Sequence, residues 1–153
     1  SNYGQALKHL FKKTLKDKKI LFPVNILNDA EESAIEYERI ISENVPPEMD
    51  IPSFDLVLLG MGTDGHTASI FQDSIRLLNS DRLVEVSKHP VSGQQRITFT
   101  GKLINNSQEI IFIITGNEKK ESLEMILKKK PKAEQLPAFH IKAKNSLSWF
   151  IAP

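Results

Sequence analysis

The chain contains no cysteine. That excludes disulfides and thiolate metal sites within it, and it fits a reducing compartment, so a cytoplasmic setting is expected. No apolar run approaches the ~20 residues of a membrane-spanning helix, and no apolar leader stands at the start. No membrane association is therefore expected. An excess of charge of one sign is missing too. The formal net charge is +1, so no whole-chain field points to nucleic acid. The four histidines, His9, His66, His89 and His140, show no pair at metal-ligand spacing on a helix face. Neither a metal nor a cofactor is expected.

What is present is an ordinary globular composition in 153 residues, enough for one domain with a real core. Residues 1–153 are read as a single α/β unit. The chain opens on Ser1-Asn2-Tyr3-Gly4 with no methionine and passes at once into a helical pattern. Processing, derivation from a longer chain and a tag scar at Ser1-Asn2 all fit that start.

Residues 4–16 place Ala6, Leu7, Leu10, Phe11 and Leu15 on one helical face, with lysines outside. Pro23 keeps the apolar stretch 20–27 at an edge or in a loop. Asn28 or Asp29 is expected to cap a helix reaching about Ser42, with Glu31 and Glu32 in the first turn where the dipole favours them. A proline-rich connection follows over 44–53. "FDLVLLG" (54–60) is a nearly continuous apolar run ending in glycine, the pattern of a strand buried on both faces. "EIIFIITG" (109–116) repeats it, and Asn117 then caps the expected helix EKKESLEMILKK. Residues 83–89 and 96–101 read as further strands, and 140–153 as one or two more. Strand–glycine–helix occurring twice predicts an α/β fold with a mostly parallel sheet flanked by helices, of the three-layer, doubly wound type. The lysine run 128–132 reads as a solvated helix end.

The loop "LLGMGTDGHTASIF" (58–71) carries the chemistry. It contains Gly60-x-Gly62-x-x-Gly65, the spacing of a dinucleotide fingerprint. However, Asp64 would set a carboxylate against the two phosphates, and the motif normally sits in the first βαβ unit. A histidine just past a glycine turn, at a sheet's ligand edge, is better placed to move a proton. Asp64, two residues earlier, would orient the imidazole of His66. HTASIF reads as a helix start whose free N–H groups favour an anion.

"FDLVLLGMGTDGHTASIF" resembles the signature segment of the 6-phosphogluconolactonase family, within the glucosamine-6-phosphate deaminase/6-phosphogluconolactonase superfamily. "SGQQRITFTGKLINNSQEIIFIITGNEKKESL" resembles the family's second block, and "LPAFHI" and "LSWFIAP" its closing segment. Ser1-Asn2-Tyr3 resembles the end of a motif that begins Asp-Glu-Arg. The resemblance implies the C-terminal portion of a longer lactonase domain, with the N-terminal part of the fold missing. Gln72-Asp73 departs from the family's frequent Pro-Gly, and Phe139 from a usual small residue.

What the resemblance implies is hydrolysis of 6-phosphoglucono-δ-lactone to 6-phosphogluconate, in the oxidative pentose phosphate pathway. His66 would be the general base, Asp64 its partner, and loop amides near Gly62 and Gly65 the donors to the oxyanion. Arg96 and Lys119 would hold the phosphate. The substrate is then a small sugar-phosphate lactone, with no nucleic acid or membrane partner, and the sequence leaves the oligomeric state open. Related deaminases carry a glutamate five positions after the histidine. Phe71 occupies that position here, and the next carboxylate is Asp73. A sugar-phosphate isomerase or deaminase, a non-catalytic sugar-phosphate-binding domain of the same fold and a dinucleotide-binding module are the alternatives.

Overall fold

In the computed structural model, residues 2–12, 21–25 and 29–152 are described. The chain enters with α1 (Asn2–Ala6), which widens into a π-helical turn over Leu7–Phe11. The expected helix over 4–16 is thus seen as far as residue 12, with Leu10 half exposed. Positions 13–16 lie outside the described residues. Residues 21–25 form no regular element, in keeping with Pro23.

Helix α2 (Ala30–Asn44) starts as expected. Asp29 is its N-cap and accepts the Glu31 N–H at 3.3 Å, with Glu31 and Glu32 in the first turn. The other candidate cap, Asn28, lies outside the described residues. The helix stops at Val45 because the residue before a proline is pushed out of the helical region. The proline-rich connection folds into a minimal hairpin of β1 (Pro47–Glu48) and β2 (Ile51–Pro52).

Next come β3 (Leu56–Leu59), β4 (Val84–Lys88), β5 (Gln95–Phe99), α3 (Gly101–Asn105), β6 (Glu109–Thr115), α4 (Lys120–Leu127) and β7 (Ser146–Ala152). Short 3₁₀ segments fill Gln72–Asn79, Asn117–Lys119, Pro131–Gln135 and Pro137–His140. Strands β3, β6 and β7 form a parallel sheet in that order, with Leu59, Phe112 and Trp149 in one row. This is the expected α/β architecture. Strands β4 and β5 pair antiparallel as a separate hairpin.

Two local expectations differ. The strand at 54–60 is not buried on both faces. Val57 and Leu59 point into the core, whereas Leu56 and Leu58 are exposed, as are Ile113 and Phe150 on the same face. An apolar run does not by itself distinguish a doubly covered strand from one covered on a single side. Asn117 makes no side-chain cap either. Gly116, at φ 94°, instead turns the chain into a 3₁₀ segment before α4.

The covered face of the sheet packs Val57, Leu59, Ile110, Phe112 and Ile114 against Leu123 and Ile126 of α4 and against Leu136 and Ile141. Trp149 stacks on Phe112 with centroids 4.1 Å apart, as a core residue rather than a ligand platform. A second cluster joins Ala34 and Ile41 of α2 to Leu83, Val84 and Leu103. Phe54 and Phe99 stack at 5.7 Å and touch both clusters. The tightest joint is at Gly101, where a Cβ would lie 2.7 Å from the Cα of Leu78 and closer still to its carbonyl oxygen. Backbone cannot yield as a side-chain tip can. Gly101→Ala is therefore expected to destabilise the fold by about 1–3 kcal/mol, read as a lowered urea midpoint at unchanged m-value. An unchanged midpoint would show that the joint is loose.

Candidate active site

At the end of β3 the chain folds back over residues 60–66. The Gly62 N–H donates to the His66 carbonyl at 3.0 Å, and the Gly65 N–H to the Gly62 carbonyl at 3.1 Å. Both amides are spent closing the loop. This differs from the expectation that they face an oxyanion. The two glycines provide room instead. A Cβ on Gly62 would overlap the His66 ring and approach Asp64 Oδ1 to 2.7 Å. Gly65 has φ 76°, a region that favours glycine, and a Cβ there would meet Leu136 at 2.8 Å.

Inside this loop Asp64 Oδ1 receives two hydrogen bonds. The His66 backbone N–H donates at 3.2 Å and His66 Nδ1 at 2.6 Å. Since a carboxylate only accepts, Nδ1 carries a proton, and in the neutral imidazole Nε2 is then the nitrogen with the lone pair. Partial burial would raise the pKa of Asp64, but the hydrogen bonds and charge of His66 outweigh it. The carboxyl is held below the ordinary aspartate range. It stays ionised at neutral pH. The imidazole is 32% exposed, so solvent reaches it. Its protected side lies against buried Phe71, with ring centroids 4.8 Å apart.

HTASIF does not start a helix. Thr67 and Ile70 pair as an isolated antiparallel bridge, Ala68 has φ 50°, and the next helical turn begins at Gln72. The hydrogen bonds of Thr67 and Ser69 to other segments replace the helical ones. Thr67 Oγ1 donates to the Gly60 carbonyl at 2.9 Å, and the Ser69 N–H donates to Thr98 Oγ1 at 3.0 Å.

The loop is held from several directions. Buried Ser122 of α4 donates to the Thr63 carbonyl. Gln72 Nε2 donates to the Asp64 carbonyl at 2.9 Å, and the Ala138 N–H to the Gly65 carbonyl at 3.0 Å. None of these contacts followed from the sequence, because each joins residues whose spacing carries no periodic signal. Thr98 and Thr100 read there as plain strand residues. In the structure both are buried and both use their hydroxyls, Thr98 on the loop and Thr100 on the Arg82 carbonyl at 2.7 Å.

Lys119 lies at the carboxyl end of β6, beside the carboxyl end of β3 from which the loop springs. Ser122, three residues on, makes the tie to Thr63. Arg96 is exposed on β5, opposite Ser87 and two residues before Thr98, hence on the same face of the strand. The structure thus brings Asp64, His66 and Gly62 into direct contact. It sets Lys119 and Arg96 on the two elements that flank the loop, with no hydrogen bond or ion pair to Asp64 or His66. His89 is structural: its Nδ1 accepts the N–H groups of Val91 and Ser92, both at 3.2 Å.

A family model described as glucosamine-6-phosphate isomerases/6-phosphogluconolactonase matches residues 1–149. A 6-phosphogluconolactonase of Treponema pallidum is 46% identical over 99 residues, covering 64% of this chain and 41% of that protein. One from Haemophilus influenzae is 34% identical over 152 residues, covering 99% of this chain and 63% of that protein. The solved 6-phosphogluconolactonase of Trypanosoma cruzi superposes with a TM-score of 0.81 at 30% identity, over 99% of this chain and 63% of that one. The chain therefore spans 41% to 63% of the length of these relatives.

The arrangement makes a direct prediction. In Gly62→Ala the imidazole is pushed off Asp64, and the downfield Nδ1 proton of the hydrogen-bonded pair disappears from the NMR spectrum while the fold persists. A retained Nδ1 signal would show that the loop absorbs the methyl group.

Proposed function

The chain belongs to the glucosamine-6-phosphate isomerase/6-phosphogluconolactonase family, and from that premise we propose that its 60–66 loop catalyses hydrolysis of 6-phosphoglucono-δ-lactone to 6-phosphogluconate. The observation that carries this reading is the 2.6 Å hydrogen bond from His66 Nδ1 to Asp64. It leaves Nε2 as the base of an imidazole that solvent reaches. The named function of the relatives supports the substrate.

His66 Nε2 takes a proton from water as the water oxygen bonds to the lactone carbonyl carbon. The tetrahedral alkoxide then collapses and the bond from that carbon to the ring oxygen breaks. Nε2 returns its proton to the departing ring oxygen. Asp64 holds the tautomer and balances the transient imidazolium. General base catalysis of this kind contributes about 10²–10⁴-fold in rate. With the Gly62 and Gly65 amides engaged in the loop, those glycines act by shaping it. Arg96, with its fork of donors, and Lys119, a compact charge, hold the phosphate from either side.

Phe71 favours this reaction over an isomerase or deaminase. It fills the position where the deaminase-type loop carries a glutamate, and it is 4% exposed and packed on the His66 ring. Lactone hydrolysis needs only one base, one water and a place for the anion.

His66→Asn in the lactonase-active protein is expected to lower kcat by about 10²–10⁴-fold with KM nearly unchanged. Near-normal turnover would remove His66 from its role. Lys119→Ala is expected to raise KM by roughly 10–100-fold, the loss of one charge-assisted hydrogen bond, and to leave kcat close to its original value. A fall in kcat at constant KM would instead place Lys119 at the reacting carbon.

A further inference from the structure

A second site lies away from the loop. A cavity of about 480 Å³ opens between the 3₁₀ segment Gln72–Asn79, the end of α3 and the stretch from Glu134 to Lys142. Asn105 and Lys142 each stand four residues before a strand of the parallel sheet, so the cavity sits at the amino ends of the strands. The catalytic loop leaves the opposite, carboxyl end.

The lining is rich in donors and poor in acceptors. Arg76, Lys142 and His140 converge there with Asn79 and Asn105, against one carboxylate, Glu134. Among the described residues, neither Arg76 nor Lys142 has an ion pair or a side-chain hydrogen bond, whereas Arg39 and Lys128 each find a carboxylate. Two members of the set are already oriented. His140 Nε2 donates to the Glu134 carbonyl at 2.7 Å, which fixes the imidazole. Asn105 Oδ1 accepts the Lys142 N–H at 2.9 Å, so the amide NH₂ is the group that Asn105 has left to offer. Ile75 and Leu78 complete the wall with carbon. Guanidinium and ammonium groups supply N–H donors and no lone pairs, and the Asn105 amide NH₂ adds to them, which favours a phosphate or carboxylate over a cation.

We propose that this cavity is a binding site, distinct from the catalytic loop, for a compact organic anion bearing at least two negative charges, either a phosphate ester or a polycarboxylate. Arg76 and Lys142 supply the charge, and Asn79 and Asn105 the directional hydrogen bonds. The volume suits a molecule of metabolite size rather than a bare ion, and the apolar wall receives its carbon skeleton. The site stands independently of the lactonase reading.

The test is an amide-resolved NMR titration of this chain carrying Lys119→Ala, which weakens anion binding at the catalytic edge. Glycerol 2-phosphate and citrate are the two probes, with glycerol as the neutral control. Saturable shifts centred on Arg76, Asn79, Asn105 and Lys142 are expected with at least one of the anions, and none of these four residues is expected to respond to glycerol. Response to glycerol 2-phosphate alone would assign a phosphate ester, and response to citrate alone a polycarboxylate. Adding Arg76→Ala and Lys142→Ala, both at exposed positions, is expected to weaken that binding by at least about 10-fold with the rest of the spectrum unchanged. Shifts that grow linearly without saturation for both anions, or an affinity that survives the double substitution, would overturn the proposal.

Discussion

The imidazole of His66 occupies the space that a side chain on Gly62 would need. The rest of the site depends on that exclusion. Only because residue 62 has no Cβ can the ring fold back over the loop and reach Asp64 at 2.6 Å. The same glycine closes the turn with its own N–H on the His66 carbonyl. Backbone and side chain of His66 are thus fixed by one residue, and its tautomer is fixed by another two positions away.

A loop built on glycines loses much conformational entropy on ordering. The surrounding elements offset that cost. Ser122 from α4, Thr98 from β5, Gln72 from the 3₁₀ segment and Ala138 from the stretch before β7 each give or take one hydrogen bond. At about 1 kcal/mol apiece, no single tie orders the loop, but together they hold it on four sides. The ties come from elements that follow β3, β5 and β6 or lie between them. The parallel register of β3, β6 and β7 is what brings those elements to one edge. Sequence positions 63 and 122, which share no local signal, become neighbours because Leu59 and Phe112 share a row of the sheet.

That is why the sequence carried some of this molecule and not the rest. Strand–glycine–turn at 54–60 and 109–116 is local, and it foretold both strands and the edge from which the Asp64–His66 loop springs. Asp64 and His66 are two residues apart, so their contact was readable as a short-range constraint. The cap at Asp29 is equally local. What failed was whatever depends on the third dimension. Alternation of exposure along β3 is invisible in LVLL, where all four residues are apolar although Leu56 and Leu58 face outward. The helix expected at HTASIF lost to a competing set of bonds. Thr67 and Ser69 found partners in Gly60 and Thr98, and a bridge to Ile70 formed instead of a helical turn. The glycine amides are consumed by the fold-back of the loop, which no local pattern foretells.

Phe71 links the geometry of the pair to the choice of chemistry. A carboxylate at that position would lie against the same ring face and offer His66 a second anionic partner. The imidazole would then be divided between two acceptors, and a second acid–base group would stand beside the substrate. With Phe71 there, the ring packs tilted on an aromatic side chain, which His89 in turn meets edge-on at 5.2 Å. Water reaches the imidazole from its exposed side and not through Phe71. Such a site has one proton acceptor with one counter-charge, and it can take a proton and return it. Among the described residues, no second carboxylate bonds His66 of the kind that ring opening or amine transfer at a sugar would draw on. In the proposed reaction, the side chain five residues after the histidine therefore narrows the chemistry as much as the histidine itself does.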